Sequence, residues 1–209
     1  MMFDTHSIFS VPISLKHSVL NINNELINIS KAFESGVSNN QHNTLTKNYN
    51  VLNDVRLNYV KNVIETSLKE YEKEIMSLKD CQLKITNSWF SITESRGSHP
   101  THNHPNSIIS GCLYLKLPKN HNTINFHHTS QIYKGNINVE PLNYNQFNSD
   151  NYNISVLEGD IIFFPSWLNH SVNYFDNNEE RIVLAFNTFI EGNLGNETWP
   201  TKISLKVNK

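Results

Sequence analysis

Cysteine is scarce in this chain: Cys81 and Cys112 are the only two in 209 residues, and they stand far apart. That excludes a disulfide framework and a CxxC metal motif, and reduced thiols point to a cytoplasmic setting. Charge is sparse too. Asp, Glu, Lys and Arg make up 17% of the chain, against 38% apolar and 11% aromatic residues, too little charge for a solvated disordered polymer. The net charge is -2 with no basic block or stripe, so a nucleic-acid partner is not indicated. No run of about 18 apolar residues is present, which excludes a helical membrane span. The first residues lack a charged stretch followed by an apolar one, so no secretory signal is read. Asparagine is over-used throughout, and the Asn-x-Ser/Thr sequons at Asn28, Asn153, Asn169 and Asn196 are attributed to that composition.

What is there suits a single domain. Residues 9–13 read as a short extended segment, 19–33 as an amphipathic helix stopped near Gly36, and 37–50 as a polar loop. From Asp54, the apolar residues Leu57, Val60, Ile64, Leu68, Tyr71, Ile75 and Leu78 recur every three or four positions, which predicts a long helix packed on its own domain. After Asp80 the texture changes to short strand-like runs at 83–86, 89–93, 107–117, 123–126, 153–157, 160–164, 170–174 and 181–189, separated by turn-like pieces. The expected plan is a helical N-terminal elaboration over 1–80, a mainly β jelly-roll core over 81–195 and a C-terminal extension over 196–209.

The chemistry-bearing residues are histidines. His99, His102 and His104 fall in Ser98-His99-Pro100-Thr101-His102-Asn103-His104-Pro105. In an extended segment, residues two apart share a side, so His102 and His104 can aim at one point as a metal clip. Pro100 makes the same geometry less natural for His99, which stays outside the clip. Residues Glu158 to Asn169 read as a turn, an apolar strand and a Pro165 turn, returning His170 to face the first two. Three protein ligands with open positions make a catalytic rather than a structural metal site. Arg181 opens the apolar strand Ile182-Val183-Leu184-Ala185-Phe186; if it points inward it needs an anion, and a guanidinium grips a carboxylate bidentately. His127 and His128 read as solvated, Trp89 and Trp167 as core, and Asp160 as a turn residue. His6, His17, His42 and His121 carry no assigned role.

These residues resemble the iron(II)/2-oxoglutarate-dependent oxygenases, in a small bacterial and phage branch related to prolyl 4-hydroxylases. The resemblance rests on His102-Asn103-His104-Pro105-Asn106-Ser107, Ser110-Gly111-Cys112-Leu113-Tyr114-Leu115, Gly159 to His170, and Arg181 to Asn187, with Trp89 upstream. It covers roughly 83–192. It implies a double-stranded β-helix with N-terminal helices on its outside, and Fe(II) held by His102, His104 and His170. His104 then stands where the wider superfamily has a carboxylate, leaving the site one unit more positive. The resemblance also implies that Arg181, with the Tyr114 hydroxyl, binds the distal carboxylate of 2-oxoglutarate. The implied reaction consumes dioxygen and 2-oxoglutarate, yields succinate and carbon dioxide, and hydroxylates an unidentified peptidyl or small-molecule substrate. Residues 131–151 carry no substrate signature but are long enough for an active-site lid.

Two other readings stay open on the residues alone. A cupin-like three-histidine metalloenzyme fits Gly159, Pro165 and His170, but lacks a glutamate soon after His104 and leaves Arg181 idle. A non-enzymatic β-sandwich with incidental histidines predicts no stoichiometric metal.

Overall fold

The computed structural model describes residues 6–40, 42–128, 140–195 and 200–207. In chain order the elements are β1 (Ser14–Lys16), α1 (Asn24–Ala32), β2 (Ser35–Asn40), β3 (Asn43–Thr46), α2 (Asn58–Tyr71), β4 (Cys81–Thr93), β5 (Gly97–His102), β6 (Ile109–Lys116), β7 (Thr123–His127), β8 (Asn151–Ser155), β9 (Ile161–Pro165), β10 (His170–Phe175), β11 (Arg181–Leu194) and β12 (Ile203–Leu205). An eight-stranded antiparallel sheet runs β1-β9-β6-β11-β4-β3-β2, with β12 added against β11. A four-stranded sheet runs β5-β10-β7-β8. This is the jelly roll expected from the short strands. No described helix is long and apolar enough to cross a membrane.

The central strands of the larger sheet are covered on both faces, which is why their sequences are nearly continuous apolar runs rather than alternating ones. Their side chains still alternate between two cores. Leu113, Ile161, Phe163, Ile182, Leu184 and Phe186 pack outward against the helices. Tyr114, Ile162, Phe164 and Val183 point inward, toward Ile124 and Phe126 of the smaller sheet. Gly111 of β6 permits the outer layer to close, because a Cβ there would lie 2.3 Å from Cζ of Phe186.

The helices are amphipathic lids on the outer face. Asn23 caps α1 by accepting from the Leu26 amide at 2.9 Å, so the helix starts there rather than at residue 19. On α2, Val60, Ile64, Leu68 and Tyr71 form the buried stripe, and the Tyr71 ring stacks on Phe163 at 5.1 Å. The helix read from Asp54 to Leu78 differs at both ends. Asp54 caps a 3-10 turn, and α2 proper begins at Asn58. Beyond Tyr71 a π turn covers Glu72–Met76; its wider winding rotates Ile75 off the packed face, leaving it 46% exposed.

Three further readings are corrected. The polar stretch 37–50 is not simply loop: β2 and β3 occupy much of it, and Leu45 pairs with Ser91 of β4. The extended segment near 9–13 is displaced to Ser14–Lys16, pinned by pairing Ser14 with Phe163. The separate runs 83–86 and 89–93 are one strand, β4, because Asn87 and Ser88 pair with Asn187 and Phe186 and the pairing resumes past a bulge with Ile85 opposite Thr188. Residues 1–80 therefore supply three strands as well as helices. Positions 131–139 of the expected lid, with 129–130 before them, and 196–199 and 208–209 of the C-terminal extension lie outside the described residues.

Candidate active site

His102 ends β5 and is the direct cross-strand partner of His170, the first residue of β10. Such partners have adjacent side chains, and the two rings lie 4.2 Å apart, centroid to centroid. His104 follows beyond the strand, held by its amide donating to the Ser166 carbonyl at 2.8 Å. Asn103 donates to Asn169 across the gap at 3.0 Å, tying together the two segments that carry the histidines. The ligand-capable nitrogens of His102, His104 and His170 all fall within 4.8 Å of one another, so the structure brings together the three histidines singled out in the sequence.

The hydrogen bonds set the tautomers. His102 Nδ1 faces the Pro100 carbonyl at 2.8 Å, and His170 Nδ1 faces the Leu168 carbonyl at 3.0 Å. A ring nitrogen facing a carbonyl carries the proton, so each Nε2 keeps a lone pair for a cation. His104 Nε2 lies 3.3 Å from His170 Nε2. Burial pushes the His104 and His170 imidazoles down to about 3, with neighbouring imidazoles adding to the effect, and lowers His102 as well. Three neutral imidazoles with converging lone pairs are the state a divalent metal requires. The donor set fits a catalytic transition-metal site.

His99, excluded from the clip on geometric grounds, stands outside the triad but stacks on His102 at 4.2 Å. Burial lowers it to about 3 as well. His127, read as solvated, instead bonds Ser171 at 2.8 Å and Asn151 at 2.5 Å. Asp160 does more than turn the chain. It is fully buried, accepts from the Ser18 and Leu157 amides, and contacts His17 at 2.9 Å, anchoring the N-terminal segment to the turn before β9.

Arg181 points inward. It is 2% exposed, and its guanidinium meets the His121 carbonyl at 3.4 Å and the face of Tyr114 at 5.2 Å. Among the described residues no carboxylate pairs with it. The Tyr114 hydroxyl is also buried and, among the described residues, has no partner in hydrogen-bonding geometry. Burial holds the Arg181 pKa below its usual value, raises that of Tyr114, and pushes the Cys112 thiol up to about 12, so Cys112 offers no counter-charge. A buried cation beside an orphaned hydroxyl is costly unless an anion arrives. The same cavity is lined by Arg181, Tyr114, His102, His104 and His170, so an anion bound there would reach toward the histidines.

Comparison with known proteins agrees with this arrangement. The family described as "Putative 2OG-Fe(II) oxygenase" matches residues 87–187, a span that contains the three histidines, Tyr114 and Arg181. By sequence, no curated protein matches the chain. Among solved structures, the chain resembles HygX from Streptomyces hygroscopicus with nickel and 2-oxoglutarate bound, at 8% identity and TM-score 0.61, covering 85% of this chain and 82% of that one. It also resembles a prolyl hydroxylase from Trichoplax adhaerens in complex with a peptide fragment, at 9% identity and TM-score 0.59, covering 85% and 83%. A prolyl-4-hydroxylase from Pseudomonas putida matches at 11% identity and TM-score 0.52, covering 85% and 93%. At these identities the structural likeness is one of fold. The family match spans 101 of the 209 residues, and over that stretch, which bears the site, the chain is similar to the 2OG-Fe(II) oxygenases.

Proposed function

We propose that this chain is a dioxygenase that holds Fe(II) on His102, His104 and His170 and binds 2-oxoglutarate with its distal carboxylate on Arg181 and the Tyr114 hydroxyl. Its reaction is the hydroxylation of a peptidyl or small-molecule substrate. The observation that carries the reading is a buried guanidinium with no carboxylate partner among the described residues, set in one cavity with three imidazoles whose ligand-capable nitrogens lie within 4.8 Å of one another. A cupin-like reading leaves that guanidinium unexplained.

When bound, the pair supplies a strong oxidant: dioxygen is reduced as 2-oxoglutarate is decarboxylated to succinate, and an oxygen atom is delivered to a substrate C–H bond. The protein supplies placement and charge. The Pro100 and Leu168 carbonyls hold the His102 and His170 rings in the ligating tautomer. His104, neutral where a carboxylate stands in the wider superfamily, leaves the centre one positive unit higher, which favours a dianionic co-substrate. Arg181 and Tyr114 fix its far end, and Val183, Ile124 and Ala185 give the cavity apolar walls.

Anaerobic loading with Fe(II), followed by desalting and iron analysis, tests the ligand set. The wild-type chain retains one iron per chain, while His102→Ala and His170→Ala, folded by circular dichroism, retain none. Full occupancy in either variant contradicts the triad.

A further inference from the structure

The inward rows of β4 and β11 lay the site out in a line. On β11 the inward residues run Arg181, Val183, Ala185 and Asn187; their partners on β4 are Thr93, Ser91, Trp89 and Asn87. The anion-binding Arg181 stands at one end, and the ring of Trp89 lies against His104 in the middle, at 5.7 Å. Asn87 and Asn187 face each other at the far end, where a bulge between Asn187 and Thr188 interrupts the pairing. Bulges of this kind re-aim side chains beside functional sites. Six residues along a strand span about 20 Å, enough to separate a co-substrate end from a second binding end.

At that far end an open cleft of about 440 Å³ borders the histidines. Leu45, Tyr49, Trp89 and Pro100 give it apolar and aromatic walls, and Asn87 and Asn187 give it amides. Among the described residues lining it there is no Asp, Glu, Lys or Arg. An ion entering would lose hydration without gaining a counter-charge. The Ser110 hydroxyl donates to Asn187 Oδ1 at 2.7 Å, which fixes that amide with its NH2 group left to donate. A fixed donor beside apolar walls selects a carbonyl carried on an aliphatic body.

Resting on the reading of the triad and Arg181 given above, we propose that this cleft is the prime-substrate site. It takes an uncharged amide-bearing aliphatic group, with the Asn187 amide donating to the substrate carbonyl and Trp89 carrying its apolar face toward the histidines. Asn87 and Asn187 are positioning residues in this account. The source of the group is a peptide or a free amidated metabolite.

The test uses ligand-observed saturation-transfer NMR with N-acetyl-leucinamide as probe, against its N-acetyl-lysinamide and N-acetyl-glutamate α-amide counterparts. On the metal-free full chain the neutral probe receives saturation and the charged ones do not. Asn187→Ala weakens the neutral probe about ten-fold, and Asn87→Ala, at an exposed position where misfolding is not at issue, weakens it in the same direction. Mn(II) and 2-oxoglutarate added to the same sample then broaden the probe's aliphatic protons more than its acetyl methyl. Equal binding of the charged probes, or indifference to both Asn substitutions, overturns the inference. So does Mn(II) that binds with 2-oxoglutarate yet leaves the probe unbroadened. If Mn(II) fails to bind while probe binding still depends on Asn187, the metal reading falls and the cleft stands. A blocked Ala-Ala-Leu-Ala-Ala pentapeptide separates the sources: tighter binding than the single residue points to a peptide, equal binding to a free metabolite, and either supports the neutral-amide site.

Discussion

At the residue scale, Arg181 carries a prediction with two signs. It is a buried charge with no carboxylate partner among the described residues, so it costs stability in the absence of a ligand and gains value when a carboxylate binds. Arg181→Met should therefore leave the melting temperature of the ligand-free chain unchanged or higher. It should also weaken 2-oxoglutarate binding by about 2–5 kcal/mol, the cost of truncating one partner of a buried charge pair. Thermal melts with and without 2-oxoglutarate check both signs; a destabilised ligand-free variant that keeps its full ligand-induced shift contradicts the assignment. Gly111 offers a purely structural counterpart. An added Cβ meets the fully buried Phe186 ring at 2.3 Å and the Ile162 carbonyl at 2.9 Å, and neither can withdraw. Gly111→Ala should destabilise by about 1–3 kcal/mol in urea unfolding, and a neutral outcome contradicts the packing described. The residues legible in the sequence were those whose chemistry is conspicuous on an apolar strand: His102, His104, His170, Arg181 and Tyr114. Asn103, Asn169, Asn87 and Asn187 were not legible. In an asparagine-rich chain they look like every other asparagine, and their roles depend on registers between strands far apart in sequence.

At the element scale, the outer helices matter because they cover the second face of the sheet that carries Arg181 and Tyr114. Ile64 sits at the centre of that contact, fully buried between α2 and the sheet. Ile64→Ala should cost about 2–5 kcal/mol of global stability with no change in metal stoichiometry. Denaturant unfolding and iron analysis on the same preparation separate the effects, and loss of iron from a folded variant contradicts the division of labour. The stripe of α2 was readable because Val60, Ile64, Leu68 and Tyr71 repeat at helical spacing. β2 and β3 were not, because a polar segment offers no alternation and only pairing of β3 with β4 makes it a strand. The π turn after Tyr71 was equally hidden, since apolar spacing continues through it to Ile75 and Leu78.

For the whole molecule, the buried imidazoles set a pH dependence. His99, His104 and His170 are pushed by burial from 6.5 to about 3. Between those values the unfolded chain binds protons that the folded chain does not, so stability rises with pH through this window and is lost as pH falls through it. The urea midpoint of the metal-free chain should be lower at about pH 5 than at about pH 7, a range above most carboxylate titration. Equal midpoints contradict the buried, neutral state of these rings. The same neutrality, in a cavity that also holds Arg181, is what lets the fold assemble a positive centre for an anionic co-substrate. Anaerobic titration of the chain with Fe(II) and then 2-oxoglutarate, followed by visible absorption, tests that centre most directly. The account predicts a weak charge-transfer band that saturates at one equivalent of each and is lost in Arg181→Met, whereas tight iron binding with no band on adding 2-oxoglutarate would contradict it.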